Sequence, residues 1–211
     1  MGIEKYIISY CAISENAVWK NGENIYENKD TLLAPFLLSV YNHLNISYPK
    51  FYKMDNLSKL GWLASELLLK DEPATEKFLP EEIGIVLSNA NSSLDSDLKY
   101  FETVYDRPSP SLFVYTLPNI VMGEICIRNN FKGEIAFFIN KRFDAEFLEQ
   151  YVSNLLNNKI KMCICGWVDV LQEEYRAVLF LVTKNTDRQF LRFTKENMNN
   201  LFKEPIKLNQ R

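Results

Sequence analysis

Four cysteines and one histidine are the first side chains in this chain to consider for thiol or zinc chemistry. All four thiols lie in apolar segments and none belongs to a CxxC pair: Cys11, Cys126, Cys163 and Cys165. Cys163 and Cys165 share one face of a predicted strand, where zinc would need two further ligands. Buried, reduced thiols are the simpler interpretation. His43 is expected at the surface near a helix end, so we predict neither a metal site nor a cofactor.

The stretch GEIAFFINKRFDAEFLEQYV, residues 133–152, has polar residues in the turn between a predicted strand and a predicted helix, a position where catalytic residues often occur. A short apolar strand leads through Asn140, Lys141, Arg142 and Phe143 into a helix. In many α/β enzymes such a strand-turn-helix presents a nucleophile, but this turn contains no Ser or Cys. Lys141 and Arg142 could bind a phosphate or carboxylate group beside the helix N-terminus. Alternatively, they are solvated turn residues and Asp144 caps the helix.

Charge and hydropathy exclude several classes of partner. The formal net charge is −3 and nearly half of the residues are apolar, which indicates a globular core and gives no electrostatic reason to expect nucleic acid or an anionic membrane. No apolar run approaches the roughly 20 residues that span a bilayer. The first residues do not resemble a secretory signal. We therefore expect a cytoplasmic protein.

Strands and helices are predicted to alternate along the chain, which is typical of an α/β fold. The pattern favours an αβα sandwich around a mixed, mostly parallel sheet of about five strands. The 173–184 segment follows its predecessor too closely for a helical crossover and is expected to be antiparallel. Glu124, inside an otherwise apolar helix that opens at Thr116–Asn119, requires a partner. The predicted strands are 6–14, 83–87, 135–139, 160–166 and 177–183, and the other predicted helices are 32–44, 56–70, 94–105, 144–157 and 187–202.

Five stretches, in this order, resemble the N-terminal half of the beta-ketoacyl synthases, which are thiolase-like enzymes. They are YKMDNLSKLGWLASELLL, EEIGIVLSNANSSLDSDLKYFE, SPSLFVYTLPNIVMGEICIRNNFKGE, KIKMCICGWVDV and YRAVLFLVT. The third stretch is the closest, with Pro118-Asn119 before a helix that contains Gly123, and then Gly133. The resemblance implies a thiolase-like half: a ketoacyl-synthase N-terminal-like domain over 1–184, with 185–211 as the C-terminal helix and tail of the same unit.

The chemistry of that family does not carry over to this chain. The family's nucleophilic cysteine lies about nine residues after the glycine that corresponds to Gly133, and here the count reaches Lys141, Arg142 and Phe143. Two catalytic histidines and a lysine belong to the family's C-terminal half, which this sequence does not contain. The resemblance therefore predicts a pseudoenzyme with a degenerate nucleophile elbow at Asn140–Phe143 and no catalytic residue.

The helix after the elbow is amphipathic, with Glu146 and Glu149 on its polar face. In a complete thiolase-like fold this helix lies in a central layer between two sheets, where unpaired carboxylates would cost several kcal/mol each. The polar face is therefore expected to be solvated or to meet a polar partner.

Two functional hypotheses remain from different classes. The first is an accessory or interaction subunit in fatty-acid, polyketide or aryl-polyene-type biosynthesis, which pairs with a full-length ketosynthase, an acyl carrier protein or itself as a homodimer. By analogy with the family, Pro118, Asn119, Ile135, Phe137 and Ile139 are candidate binding or interface residues. The second is a small acyl-thioester-binding or acyl-transfer enzyme that uses a non-standard residue, and Cys11 and Cys126 are its candidate thiols.

Overall fold

The computed structural model describes residues 4–184, 190–205 and 208. Eight strands form a single sheet: β1 (Lys5–Ser14), β2 (Ala17–Lys20), β3 (Glu23–Glu27), β4 (Ile83–Asn89), β5 (Ile135–Ile139), β6 (Met162–Leu171), β7 (Glu174–Lys184) and β8 (Leu191–Arg192). The α-helices are α1 (Leu33–Leu44), α2 (Asn56–Leu69), α3 (Leu94–Val104), α4 (Pro110–Phe113), α5 (Ile120–Asn129), α6 (Ala145–Asn157) and α7 (Lys195–Lys203). Short 3-10 helices lie at Pro49–Lys53, Pro73–Lys77 and Pro80–Glu82. No helix within these described ranges is both long and apolar enough to cross a membrane.

The sheet order is β3-β2-β1-β7-β6-β4-β5, and β8 pairs with the start of β1. β4 is parallel to both β5 and β6, whereas β7 is antiparallel to β1 and β6. Among the five strands that the sequence predicted, β1, β4, β5 and β6 therefore share one direction and β7 opposes them. The predicted α/β class, the mixed sheet and the antiparallel β7 are confirmed. The prediction of about five strands was too low, because it missed β2, β3 and β8.

Each face of the sheet is covered by its own helices. On the first face, α1, α2 and α5 pack over alternate residues of the strands, such as Ile85, Ile164 and Leu179. On the second face, α6 and α7 pack over the intervening residues, such as Val86 and Phe180. This two-sided burial explains why the central strands are continuously apolar and do not alternate.

The β2–β3 hairpin is an element that the sequence prediction missed. Its turn is Asn21-Gly22, and both residues have positive φ, 51° and 82°. Positive φ at two consecutive turn residues is the requirement of a type I′ hairpin, for which Asn-Gly is the strongest short-range signal. The signal was therefore present in the sequence. Its strands are short and half-exposed, so they lack a clear apolar pattern.

Two predicted helix starts were wrong. α5 begins at Ile120, so Pro118 lies in the preceding turn and not in the first turn of the helix. The last helix was predicted from 187, in a segment that lies outside the described residues, but residues 190–194 are not helical. Leu191–Arg192 pairs with β1 as β8, and α7 begins only after Thr194, whose hydroxyl accepts the Asn197 N–H at 3.3 Å. A tertiary strand pairing overrides the local helical pattern there.

Glu124 has the partner that the sequence required. Only 4% of Glu124 is exposed, and its Oε2 lies 2.7 Å from Nζ of Lys50. Lys50 comes from the 3-10 helix before α2, and its side chain is partly exposed. The ion pair therefore lies at the boundary between core and solvent.

Two helix glycines differ sharply in their surroundings. A Cβ on Gly61 would lie 2.4 Å from Cγ2 of Val121, because α2 and α5 meet there. A Cβ on Gly123 would meet nothing within 4 Å. We expect Gly61→Ala to lower the free energy of unfolding by about 1–3 kcal/mol through overpacking. Gly123→Ala is the matched control and should be neutral or stabilising by up to about 1 kcal/mol. Urea unfolding measures both, and equal effects would contradict this account of the α2–α5 contact.

Candidate functional site

The turn between β5 and α6 has the geometry of a strand-turn-helix. The backbone N–H of Asn140 donates to the Asn89 carbonyl at 2.8 Å, which ties the turn to the end of β4. The Asp144 carboxylate accepts the Phe147 N–H at 2.9 Å, so Asp144 caps α6 as predicted. Lys141 and Arg142 are exposed, and neither forms an ion pair with any residue that the structure describes. The turn therefore offers two free cations and no nucleophile.

Phe143, the last residue of the elbow, points into an aromatic cluster. Its ring stacks on that of Phe202, with centroids 4.2 Å apart and planes 3° from parallel. Trp167 meets both rings edge-on at 6.4 Å, and Phe180 lies 6.3 Å from Phe143. The guanidinium of Arg176 lies 4.4 Å from the Phe202 ring centroid, and its Nη2 donates to the Phe202 carbonyl at 2.5 Å. Aromatic side chains thus fill the interior side of the elbow.

Phe202 belongs to α7, which packs beside α6 on the second face of the sheet. The polar face of α6 meets α7 at one residue. Glu149 accepts the backbone N–H of Lys195 at 2.6 Å, and the Lys195 ammonium lies 3.3 Å from Glu146. A carboxylate at the first turn of α7 also complements its helix dipole. The expectation that this face meets a polar partner is met within the chain, although both side chains of the Lys195–Glu146 pair are more than half exposed and the pair adds little stability.

The two outer edges of the sheet differ in chemistry. β3 carries exposed Glu23 and Glu27, and charges of this kind discourage strand addition. β5 has the sequence IAFFI without a charge or proline. Within the described chain β5 pairs only with β4, and its Ile135 and Ile139 are 45% and 52% exposed. Phe137, between them, is half-buried and packs against the hydrophobic core on the first face of the sheet. β5 is thus an unprotected, apolar edge.

The remaining candidate residues, Pro118 and Asn119, lie in the turn before α5. Asn119 occupies the N-cap position of α5, but its exposed side chain makes no capping hydrogen bond. Pro118 is half-exposed before it. The preceding Thr116 carbonyl accepts the Ser93 hydroxyl at 2.9 Å, which links this turn to the start of α3. The turn before α5, the α3 start and the elbow therefore converge at the carboxyl ends of β4 and β5.

Sequence reasoning missed an outward-facing apolar stripe on α3. Leu94, Leu98, Phe101 and Tyr105 are spaced i, i+4, i+7 and i+11, and all are exposed. Their spacing was readable as one helix face, but sequence alone does not say whether such a face points to the core or to solvent. The role of Phe202 had no local signal, because its stacking partner lies 59 residues earlier in the chain.

The thiols are placed where nucleophilic chemistry is disfavoured. Cys11, Cys163 and Cys165 are completely buried, and Cys163 and Cys165 lie together on the second face as predicted. Burial raises the pKa of Cys11 to about 12 and also raises the pKa of the half-buried Cys126. Thiolate is the reactive form, so a raised pKa suppresses reactivity. His43 is exposed, and no cluster of metal-ligating side chains occurs among the residues described.

Comparison with known proteins gives matches in structure only, since neither a family model nor a curated protein matches the sequence. The structure described as the ishigamide ketosynthase/chain length factor matches with a TM-score of 0.61 at 16% identity, over 89% of this chain and 64% of that one. The complex of the ketosynthase ApeO with its chain length factor ApeC from Xenorhabdus doucetiae matches with a TM-score of 0.53 at 10% identity. That match covers 89% of this chain and 82% of that one.

A third structure, AntDE:AntF, is described as a type II PKS acyl-carrier protein in complex with its ketosynthase bound to the hexaketide. It matches with a TM-score of 0.60 at 14% identity, over 88% of this chain and 64% of that one. The fold is thiolase-like, as in these ketosynthase and chain length factor structures. The chain spans slightly less than two thirds of the length of two of these three neighbours. The resemblance read from the sequence is therefore confirmed for the fold.

The packing of α7 on the elbow can be tested through Phe202. Phe202→Ala removes the stack on Phe143 and the contact with Arg176, and should lower the free energy of unfolding by about 1–3 kcal/mol. Phe101→Ala, at an exposed position of α3, is the matched control and should change stability by less than about 0.5 kcal/mol. Urea unfolding and dye binding to exposed apolar surface measure the effects. Equal stabilities of the two variants would contradict this packing.

Thiol reactivity tests the burial of the cysteines. With a pKa of about 12 for Cys11, only about one thiol in ten thousand is ionised at pH 8. We expect iodoacetamide to alkylate the native protein much more slowly than free cysteine, and to alkylate all four thiols once guanidinium unfolds it. Intact mass spectrometry follows the adducts. A rapid adduct at a single cysteine of the native protein would contradict the assignment.

Proposed function

We propose that this ketosynthase-like chain is a non-catalytic subunit that acts by binding a partner in fatty-acid, polyketide or aryl-polyene-type biosynthesis. The stack of Phe143 on Phe202 is the observation that carries this proposal. It fills the interior of the turn where the resemblance would require a cysteine, and the turn itself supplies Asn140, Lys141 and Arg142. Acyl transfer needs a nucleophile that substrate can reach, and this site has none among its described residues.

The partner that the fold favours is a full-length ketosynthase. Two of the structural neighbours are described as ketosynthases together with a chain length factor, and this chain has their fold. Its apolar β5 edge can pair with an edge strand of a partner's sheet. In such strand addition the main-chain hydrogen bonds provide the affinity, and every second side chain provides the specificity for the partner. Ile135, Phe137 and Ile139 supply those side chains on one face. A homodimer through the same edge is the competing arrangement.

An acyl carrier protein is the second partner that we propose. One structural neighbour is described as a carrier protein in complex with its ketosynthase. Lys141 and Arg142 are exposed beside the N-terminus of α6, where a phosphate group would meet two cations. Pro118 and Asn119 lie near the same end of the sheet and would contribute to that surface.

Binding to a purified full-length ketosynthase from the same organism tests the main proposal. Ile139→Lys places a charge on the edge strand and should weaken the complex at least about tenfold, or about 1.4 kcal/mol. Leu32→Lys is the matched control, since Leu32 is 64% exposed and precedes α1, whose Leu33 N–H donates to Glu173 in the β6–β7 turn and not to β5. Titration calorimetry measures both dissociation constants.

Several outcomes of that experiment would overturn the proposal. They are a wild-type chain that binds no ketosynthase, an acyl adduct formed from acyl thioesters on this chain, or equal weakening by both variants. Light scattering separates the two edge arrangements, because a homodimer that Ile139→Lys dissociates would show that the edge pairs with a second copy.

A further inference from the structure

A cavity of about 340 Å³ opens among the helices of the first face, where α1, α2 and α5 end. Leu44, Ile46 and Leu69 form its apolar part, and the other lining side chains are polar or charged. Small-molecule sites in proteins typically measure about 300–1,000 Å³ and combine apolar side chains with a few placed polar groups. The cavity has both properties, and the proposed function makes no use of it.

Arg128, which lines this cavity, is held in one orientation by α2 and by the segment before it. Its Nε and Nη2 donate to the two carboxylate oxygens of Glu66, each at 3.1 Å. The guanidinium also lies 5.3 Å from the ring centroid of Tyr48 and 5.8 Å from that of Trp62. These two rings stack on each other with centroids 5.1 Å apart. A planar guanidinium fixed in this way loses little conformational entropy when it binds a ligand.

Hydrogen-bond donors remain free at the cavity after Glu66 is satisfied. A guanidinium has five N–H donors, and Glu66 takes two of those on Arg128. The other donors of Arg128 have no acceptor among the residues that the structure describes. Lys70, which also lines the cavity, is exposed and forms no ion pair with any of those residues. Its ammonium group adds further donors.

The acceptors around the cavity are already used. Arg128 takes both carboxylate oxygens of Glu66. The last carbonyls of a helix normally lack partners, but at the end of α2 the Leu69 carbonyl accepts the Glu72 N–H at 3.1 Å. The Lys70 carbonyl accepts the ammonium of Lys20. A complementary ligand therefore brings hydrogen-bond acceptors and not donors.

The charges that line the cavity favour a ligand with one negative charge. Two cations and one anion line it, which leaves a net charge of +1. Lys20, next to Lys70, interacts electrostatically with Asp71 and Glu72, neither of which lines the cavity. A monoanion balances the lining residues, whereas a dianion would carry an unmatched charge against the apolar part of the cavity.

We propose that this cavity binds an aliphatic monocarboxylate. The carboxylate accepts hydrogen bonds from the free N–H groups of Arg128 and from Lys70, and a guanidinium fork matches its planar geometry. The alkyl group lies against Leu44, Ile46 and Leu69. The inference goes beyond the proposed function and does not depend on it, because no residue of β5 or of the elbow lines the cavity.

Hexanoate, added to the purified chain, is the probe for this site. Calorimetry measures its affinity, and the indole N–H signal of Trp62 in ¹H–¹⁵N spectra reports where it binds. Trp62 is completely buried next to Arg128, and its indole N–H has no acceptor among the described residues. Hexanoate should bind at least roughly tenfold more tightly than butyrate, since each buried methylene contributes about fourfold. Hexan-1-ol, hexylammonium and inorganic phosphate should all bind at least about tenfold more weakly than hexanoate.

Three variants test the two cations. Lys70→Met removes an exposed charge and should weaken hexanoate binding at least about fivefold without changing the thermal unfolding temperature. Arg128→Lys keeps the charge but loses the planar fork, and should weaken binding at least about tenfold. Lys203→Met is the matched control, because Lys203 is an exposed lysine of α7 on the other face of the sheet. It should leave both the affinity and the Trp62 signal unchanged.

Weaker binding by Lys70→Met and Arg128→Lys, with Lys203→Met unchanged, supports the site. If all three variants bind hexanoate as the wild type does, the assignment to this cavity is wrong. Equal affinity for hexan-1-ol, hexylammonium or phosphate overturns the carboxylate class. Absence of saturation at about 10 mM hexanoate overturns the site itself. None of these results bears on the proposed function, which the titration with a ketosynthase tests separately.

Discussion

Both faces of the central sheet are apolar and must be shielded from water by helices. The helices that shield the second face, α6 and α7, also fix the surroundings of the elbow. Val86, Phe180 and their neighbours form an apolar surface on that face. Exposing such a surface to water costs a free energy of roughly 25 cal/mol for each Å². α6 covers part of it and α7 completes the layer, with Phe202 stacked on Phe143 and Lys195 set against Glu146 and Glu149. The resemblance assigns this layer to contacts with a second half, and here α7 lies in it.

The position of α7 has a chemical consequence at the elbow. A nucleophile elbow works because its residue is reachable at the top of a sheet, next to space for a substrate. In this chain the corresponding space contains the rings of Phe143, Trp167 and Phe202. The thiols are elsewhere and their pKa values are raised by burial. The same packing that completes the fold therefore fills the space beside the elbow, and this supports our proposal of binding and not catalysis.

Two surfaces remain apolar and exposed after the helices have covered the sheet: the β5 edge and the outer face of α3. The β3 edge is protected by glutamates, whereas the β5 edge carries only apolar side chains. α3 is held by inward polar contacts of Asp95 and Ser96, and this leaves its leucines and aromatics outside. Exposed apolar surfaces of both kinds lower the solubility of an isolated protein.

The sequence by itself determined the α/β class, the central strands, the antiparallel β7, the cap at Asp144, the burial of three of the four thiols and the absence of a nucleophile from the elbow. These follow from local pattern, because strand burial, helix caps and residue identity are read over a few neighbouring residues. It also contained the Asn21-Gly22 signal for the β2–β3 hairpin, although short half-exposed strands made that signal easy to miss. Only the tertiary structure decided that 191–192 pairs with β1 instead of starting a helix, that Phe202 stacks on Phe143, and that the apolar face of α3 points outward. Each of these depends on contacts between residues far apart in the chain, and the free energy of such contacts overrides local preference.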